Sequence, residues 1–580
     1  MSAAILSFPY INLAEALLAA DDAAPFVTMW RAEDDFESVS FGQFKRFALG
    51  QAAYLRENGV GIRDTVVLVQ PQGIDLMASF AGAMLLGAIP AILAYPTFKV
   101  DPAKYRFGLN GVSSNLRAKA IVVDEQFPED LLASLWRGED TRMLRSARTE
   151  ATSRDFHLPQ IDPTETAFIQ HSAGTTGLQK GVALSHDAVL RHLNRLAAVL
   201  QLTKADSIYS WLPLYHDMGL IACFMLPMVA HLSLAMQSPT EWVMQPKSML
   251  EVITRFRSTL AWLPNFTYQF VARRADEFDA KEFDLSSVRA LINCSEPVRG
   301  SSMDEFYAAF RTCKLKPTAL QSCYAMAETV FAVSQSVLGG DQSPTRILAD
   351  PEGFRKEHRV VKSEFDKGFA FVSSGRLIPG TSVRIVSDTG RELSEGEVGE
   401  IAIKSDAMLT GYFNRPDITE KAVRDGWYFS GDLGFLLNGE LFVVGRKKDL
   451  IIVGGENIYP QDVEEIVSSH PAIHDGRVIA LGLFNSKLGT EEVVVIAEVR
   501  SENSLAASGD IERALSNSIV GELGVVAKRI YLKPPKWIVK STAGKPARST
   551  TREKLLREHP ELQVLTGESF DDERSNTAAH

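Results

Sequence analysis

The chain has 580 residues, with 61 Lys and Arg against 72 Asp and Glu, for a net charge of −11. It is 45% hydrophobic, 23% charged and 9% aromatic, which is ordinary globular composition and excludes disorder as the main state. The acidic balance excludes a dedicated nucleic-acid binder, and four cysteines without a CxxC pair exclude a disulfide scaffold and give a zinc site no support.

Length alone suggests about four compact units. The N-terminus, MSAAILSFPYINLAEALLAADD, lacks the basic stretch of a signal peptide, so a reducing cytoplasm is the expected compartment. Two 23-residue stretches, 76–98 and 218–240, contain no Asp, Glu, Lys or Arg. Both are long enough for a membrane helix. Their texture favours a buried helix followed by a buried strand. In the first, LMASFAGAMLLGA suits a packed helix that Gly87 can stop, and IPAILAY suits a short apolar strand. In the second, Pro227 and His231 interrupt the run.

Short apolar strands alternate with amphipathic helices through the first two-thirds. TVVLVQ, IPAILAY, KAIVVD, SIYSWLP, STLAWLP and RALINCS are the strands, in chain order. That alternation predicts mostly parallel sheets covered by helices, an α/β fold. Ser185 is placed to cap a helix over SHDAVLRHLNRLAAVLQL. After about residue 372 the pattern becomes a β-meander, with turns at 388–390 and 395–396. A smaller α/β segment follows from about 449 to 562, then a polar tail.

The most informative segment is QHSAGTTGLQKGV at 170–182. Ser172, Gly174, Thr175, Thr176, Gly177 and Lys180 combine glycines, hydroxyls and a cation just after an apolar strand. Glycines let backbone N–H groups approach an anion, and the other groups add donors and charge. The spacing is not that of a Walker loop, since Gln179 stands where that pattern needs Gly.

Four more segments follow in order: WLPLYHDMGLI (211–221), YAMAET (324–329), the GD of YFSGDLG with GRKKDLIIVGGENIYPQDVE (445–464), and STAGKPARSTTREKL (541–555). With the glycine loop, these resemble the adenylate-forming superfamily of acyl-CoA synthetases, luciferases and adenylation domains. Three details resemble its fatty acyl-AMP ligases: LPLYHDMGLI, YxxAE, and the CSEPV segment at 294–298. The gap from 330 to 374 is consistent with the extra segment those ligases carry. Gln179, Ala325, Ala173 and STAGK depart from the usual residues without removing an essential charge or donor.

The resemblance implies a large N-terminal body of α/β subdomains and a β-meander (1–447), with 338–368 as the insertion. It implies a mobile C-terminal lid (448–565), while the polar composition after it predicts a disordered tail (566–580). It implies MgATP-dependent activation of a fatty acid to acyl-AMP, then acyl transfer to an acyl carrier protein or a polyketide or peptide synthase carrier domain. Free CoA is the alternative acceptor, and a non-catalytic nucleotide- or lipid-binding homologue a remote one. Lys545 would bridge the carboxylate and the α-phosphate, and Glu328 would hold Mg²⁺. Tyr324 would stack on adenine, bordered by Asn293, Cys294, Ser295, Glu296, Pro297, Ala325 and Met326. Asp432 and Arg446 would hold the ribose, Lys448 would be the hinge, and His216 would gate the acyl tunnel. Leu220, Ile221, Phe224, Met225 and Met228, with WLPNF at 262–266, would wall that tunnel. Cys294 is expected as a packed thiol rather than a reactive one.

Overall fold

The computed structural model describes residues 4–96, 102–146, 148–152, 157–171, 180–279, 282–338, 343–350, 353–354, 357–363, 368–454, 456–485, 488–540 and 546–562. Ser172, Gly174, Thr175, Thr176, Gly177 and Lys545 lie outside the described residues, as does the tail.

Strand Thr65–Val69 (TVVLV) is buried at every position. A strand apolar on both faces must be covered on both, which is the requirement of a parallel sheet between helices. Thr65–Val69 is an inner strand of a seven-stranded sheet. Its order is Gly411–Tyr412, Gly181–Ser185, Thr166–His171, Ile89–Ile92, Thr65–Val69, Ala120–Val123, Arg142–Arg145. The last five strands are parallel, and the first two pair antiparallel. All six strands expected from the sequence are present.

Three of them belong to this sheet, and the other three to a larger, nine-stranded one. Leu320–Ala325, Ala290–Asn293, Leu260–Leu263, Ser207–Ser210, Ser233–Met236 and Pro25–Ala32 run parallel there, with antiparallel strands at either edge. Helices Phe41–Glu57 and Ile74–Leu85 pack into the core these sheets share. A Cβ on Gly82 would lie 2.6 Å from the Ala48 carbonyl, so the two helices approach this closely only because Gly82 has none.

The first charge-free stretch is a helix with all but its second residue buried, a left-handed stop at Gly87 (φ +74°), and strand Ile89–Ile92, as expected. The second differs in one respect. Pro227 does not interrupt it. Residues Met218–Met225 form a π-helix that passes directly into α-helix Leu226–Ala230. Pro227 sits in the first turn of that α-helix, a position proline tolerates. The stop comes at His231, in the left-handed region at φ +54°. No helix among the described residues is long and apolar enough to cross a membrane.

The meander is a five-stranded antiparallel sheet built on Thr381–Val386, Gly399–Ser405, Trp427–Leu437 and Glu440–Arg446. Gly390 and Gly396 carry its turns at φ +80° and +79°. Further along, Ile473–Asn485, Thr490–Val499 and Ala527–Lys533 form a three-stranded sheet. Helices Pro460–Ser468 and Ser508–Leu523 cover one face and share a hydrophobic cluster of their own with it.

Candidate active site

The parallel strands of the larger sheet end at motif residues. Tyr324 and Asn293 lie at the carboxyl ends of Leu320–Ala325 and Ala290–Asn293, and Trp211 follows Ser207–Ser210. The space beyond the carboxyl ends of such strands is where α/β sheets bind ligands.

Tyr324 is buried and donates its hydroxyl to Asp432 Oδ2 at 2.7 Å. Asp432 faces Arg446 across the meander hairpin, with Arg446 Nε 3.3 Å from Oδ1. Burial pushes the Asp432 carboxyl up, and Arg446 and the Tyr324 hydroxyl oppose it. The Asp432 charge in turn raises the Arg446 guanidinium. Tyr324 is raised by burial and by Asp432, so it stays a phenol.

A second network holds the turn before Asp432. Gly431 has φ +70°, and its N–H donates to Glu400 Oε1 at 3.2 Å. Glu400 Oε2 accepts from Lys447 Nζ at 3.0 Å, and Lys447 also reaches Asp388 at 2.8 Å. Glu400 and Lys447 were not singled out by the sequence. Lys447 lies inside a motif, but Glu400 is one acidic residue among many in the meander, and only strand pairing brings it here.

Glu328 sits in a short 3₁₀ turn, Ala327–Thr329, after strand Leu320–Ala325. The next residue but one, Val330, has φ +65° and ψ −60°, with Phe331 N–H bonded to Thr329 C=O at 2.8 Å. This is the strained form of the γ-turn, rare for a β-branched residue. Such strain persists only where the surroundings over-determine it, as they do around functional groups. Tyr412 donates to Glu328 Oε1 at 2.8 Å, and the Tyr428 hydroxyl lies 3.3 Å from that of Tyr412. Burial raises the Glu328 carboxyl, and the Tyr412 hydroxyl draws it back.

Tyr412 also ties Glu328 to the glycine loop. Strand Gly411–Tyr412 pairs with Gly181–Ser185, directly after Lys180. Lys180 Nζ lies 4.8 Å from the centre of the Tyr412 ring. Lys448 is held below its ordinary ammonium value by desolvation and by Arg446, with Lys180 adding to the shift. Three cations from two distant motifs, Lys180 from one and Arg446 and Lys448 from the other, therefore converge beside Asp432 and Glu328. Converging cations are what a polyphosphate needs.

Asn293 is fully buried. It donates to Asn265 Oδ1 at 2.8 Å, and that oxygen also accepts from Arg299 N–H at 3.0 Å. Asn293 Oδ1 has no donor among the described residues. Cys294 is buried, as expected of a packed thiol. Ser295 has φ +68°, and its hydroxyl lies 3.6 Å from Met218 Sδ. Glu296 accepts from Phe266 N–H at 3.0 Å, so its carboxylate caps the helix Asn265–Ala272. Pro297 is exposed, while Ala325 and Met326 are half-buried beside Tyr324.

His216 Nδ1 lies 2.6 Å from Asp217 Oδ1. Their segment is clamped by two glutamines that sequence reasoning missed. Gln170 donates to Tyr215 C=O at 2.8 Å. Gln72 donates to Leu212 C=O at 3.1 Å and to Gln237 C=O at 3.0 Å, and accepts from Leu214 N–H at 3.1 Å. Leu220, Ile221, Phe224, Met225 and Met228 are all buried on the π-helix and its α-helical continuation. Phe224 packs among Phe26, Phe44 and Phe80.

The family model described as AMP-binding enzyme matches residues 19–413. The chain belongs to the AMP-binding enzyme family. Among curated members, it is 30% identical over 548 residues to the medium-chain-fatty-acid–[acyl-carrier-protein] ligase JamA of Moorena producens, covering 90% of this chain and 91% of that protein. It is 28% identical over 526 residues to the 4-hydroxyphenylalkanoate adenylyltransferase of Mycobacterium tuberculosis, covering 87% and 83%. A solved structure from work on the fatty acyl-adenylate ligases of E. coli and L. pneumophila superposes with a TM-score of 0.86 at 27% identity, over 95% of this chain and 98% of that one. The fold is thus the adenylate-forming enzyme fold that the five motifs implied.

Proposed function

We propose that the protein activates a fatty acid with ATP, forming acyl-AMP and pyrophosphate, and then passes the acyl group to the phosphopantetheine thiol of a carrier protein. The observation that carries this reading is the clustering of Tyr324, Asp432, Arg446, Glu328 and Lys180 through direct contacts and shared charge. Its similarity to JamA, named as an acyl-carrier-protein ligase, supports the choice of acid and acceptor.

Asp432 and Arg446 hold the ribose hydroxyls in this reading. The Tyr324 hydroxyl, tied to Asp432, fixes its ring to stack on adenine. The unpaired Asn293 Oδ1 suits the exocyclic amine of that base. Lys180, with Ser172, Gly174, Thr175, Thr176 and Gly177, holds the phosphates. A single carboxylate oxygen donor such as Glu328 fits Mg²⁺, which takes one or two protein carboxylates beside phosphate oxygens. When bound, the ion neutralises phosphate charge. Among the described residues no group of three or more His, Cys, Asp or Glu could hold a metal unaided.

In the first step a carboxylate oxygen of the acid forms a bond to the α-phosphorus. The bond from that phosphorus to the bridging oxygen breaks, and pyrophosphate leaves with the electron pair. The acid is already ionised at neutral pH, so no base is required. Lys545 would bridge the carboxylate and the α-phosphate, where charge builds up. In the second step the carrier thiol attacks the acyl carbon, AMP leaves, and the thiol proton goes to solvent. His216, held beside Asp217, gates the acyl tunnel walled by Leu220, Ile221, Phe224, Met225 and Met228.

Residues 448–565 act as the lid, with Lys448 as hinge. Residues 338–368 act as the insertion that restrains it. Phe354 from that insertion rests on Tyr459, with ring centroids 5.1 Å apart, and His358 lies 3.0 Å from Asn457. Acid-dependent ATP–pyrophosphate exchange tests the first step. Exchange that rises when a fatty acid is added supports it, and exchange unmoved by any acid contradicts it.

A further inference from the structure

Two of the motif segments carry charges that the reaction, as derived above, does not use. Glu464 closes the segment 445–464, and Arg548 lies in the segment 541–555, three residues after Lys545. The fold brings these two together. Arg548 grips the Glu464 carboxylate with both ends of its guanidinium fork, Nη1 meeting Oε1 and Nη2 donating to Oε2 at 3.4 Å. Nη1 also donates to Ala480 C=O at 3.3 Å. Nε has no hydrogen-bond acceptor among the described residues, and Asp449 Oδ2 lies 3.6 Å from it. The side chains of Arg548, Glu464 and Asp449 are only 21%, 19% and 22% exposed.

The groups around Arg548 come from three parts of the lid. Asp449 directly follows the proposed hinge, Lys448. Glu464 lies on helix Pro460–Ser468, which also meets Arg299 of the N-terminal body through Asp462 and Glu465. Ala480 is on strand Ile473–Asn485, and its N–H donates to Glu464 Oε1 at 2.9 Å. Arg548 itself opens helix Arg548–Glu558. A cation at a helix N-terminus opposes the helix dipole. A largely buried ion pair adds little net stability, because desolvation offsets the attraction. Stability alone therefore does not account for an arginine here.

The position of Arg548 in the chain supplies another account. Pro546 forms a β-bridge with Lys540, and Ala547 N–H donates to Val539 C=O at 2.8 Å. Val539 N–H in turn donates to Thr551 Oγ1 at 3.2 Å. These bonds tie 546–547 to 539–540. The Arg548 fork ties the same stretch to helix Pro460–Ser468 and to the hinge end of the lid. Lys545 immediately precedes Pro546, a Cα-to-Cα step of about 3.8 Å. Where Pro546 is held therefore bounds where Lys545 can be.

We propose that Arg548 is a positioning residue for adenylation. Its grip on Glu464, with Asp449 alongside, sets the place from which Lys545 reaches the carboxylate and the α-phosphate. The proposal rests on the reading of Lys545 as the transition-state cation and adds the residue that aims it.

Misplacing a reacting group by about 1 Å can cost about 10²-fold in rate. Arg548→Met removes the fork and keeps much of the side-chain bulk. In acid-dependent pyrophosphate exchange its kcat should fall by about tenfold or more. Its KM values for ATP and the acid should stay within about twofold of wild type, since the lost interaction acts in the transition state. Acyl transfer from preformed acyl-AMP, a step derived above without Lys545, should also stay within about twofold. Glu464→Gln keeps the shape and removes the charge; it should show the same split, and it serves should Arg548→Met not fold. In Lys545→Ala, adding Arg548→Met should cost less than about threefold more, because residues acting as one unit are not additive. Equal loss in both half-reactions would overturn the proposal. Wild-type exchange in the folded variants, or the full single-variant loss repeated on Lys545→Ala, would overturn it as well. Wild-type exchange in Lys545→Ala itself would overturn the reading of Lys545, and this proposal with it.

Discussion

At the residue scale the decisive charges are few. Lys545 is the cation assigned to the transition state, and losing a preorganised donor of that kind costs on the order of 10²–10³ in rate. Lys545→Ala should lose adenylation by at least about that factor while its thermal unfolding stays near wild type. Pyrophosphate exchange near the wild-type rate would show that Lys545 has another role. Tyr412 was not foreseen, because a tyrosine beyond the motifs carries no signal until strand Gly411–Tyr412 pairs with Gly181–Ser185. It bonds Glu328 and lies under Lys180. Tyr412→Phe should therefore raise the Mg²⁺ concentration needed for half-maximal exchange several-fold. Unchanged Mg²⁺ dependence, measured together with Mn²⁺ binding to the ATP complex, would detach Tyr412 from the metal carboxylate.

At the element scale the hinge is the question. Lys448 begins the run that leads from the meander into helix Pro460–Ser468, whose Asp462 and Glu465 meet Arg299 at 3.5 and 2.6 Å. Arg299 also bonds Asn265 through its backbone, next to Asn293. The helix is thus latched to the edge of the proposed adenine site. Lys448→Pro removes a rotatable φ and should damage one half-reaction more than the other. Equal loss in adenylation and thioester formation, measured separately, would count against the hinge. The strands and their order of appearance were legible because buried parallel strands are apolar on both faces. The motif residues were legible because their spacing is particular to the family. The glutamine clamps were not, since Gln72 and Gln170 act through backbone groups far away in sequence. The π-helix was not legible either. Its apolar residues read the same at 3.6 or 4.4 residues per turn, and Pro227 looked like a break.

At the scale of the whole molecule, folding holds three histidines neutral. Burial pushes His171 and His186 down to about 4 and His192 down to about 3. His192 accepts from Ala332 N–H at 3.1 Å and His186 from Leu13 N–H at 3.3 Å, bonds that only a neutral ring can accept. Each titrates near 6.5 when unfolded, so the unfolded chain binds more protons below that pH. Their contribution is complete above pH about 6.5 and is lost as pH falls towards 4, about 2 kcal/mol per histidine by pH 5. Denaturant unfolding at pH 7 and pH 5 measures it. His192→Gln should shrink the difference by about 2 kcal/mol, and an unchanged difference would refute the assignment. The acidic total of −11 is uninformative about a carrier protein, because docking depends on local charge rather than the sum.

The central claim is that acyl-AMP is made and its acyl group handed to a carrier thiol. Mass spectrometry of the products addresses it directly, with the pure protein given MgATP and a fatty acid, then CoA in one arm and a holo carrier protein in the other. Acyl-AMP followed by acyl-carrier protein, with little acyl-CoA, is the predicted result. Acyl-CoA as the main product, or no acyl-AMP from any acid, would contradict it.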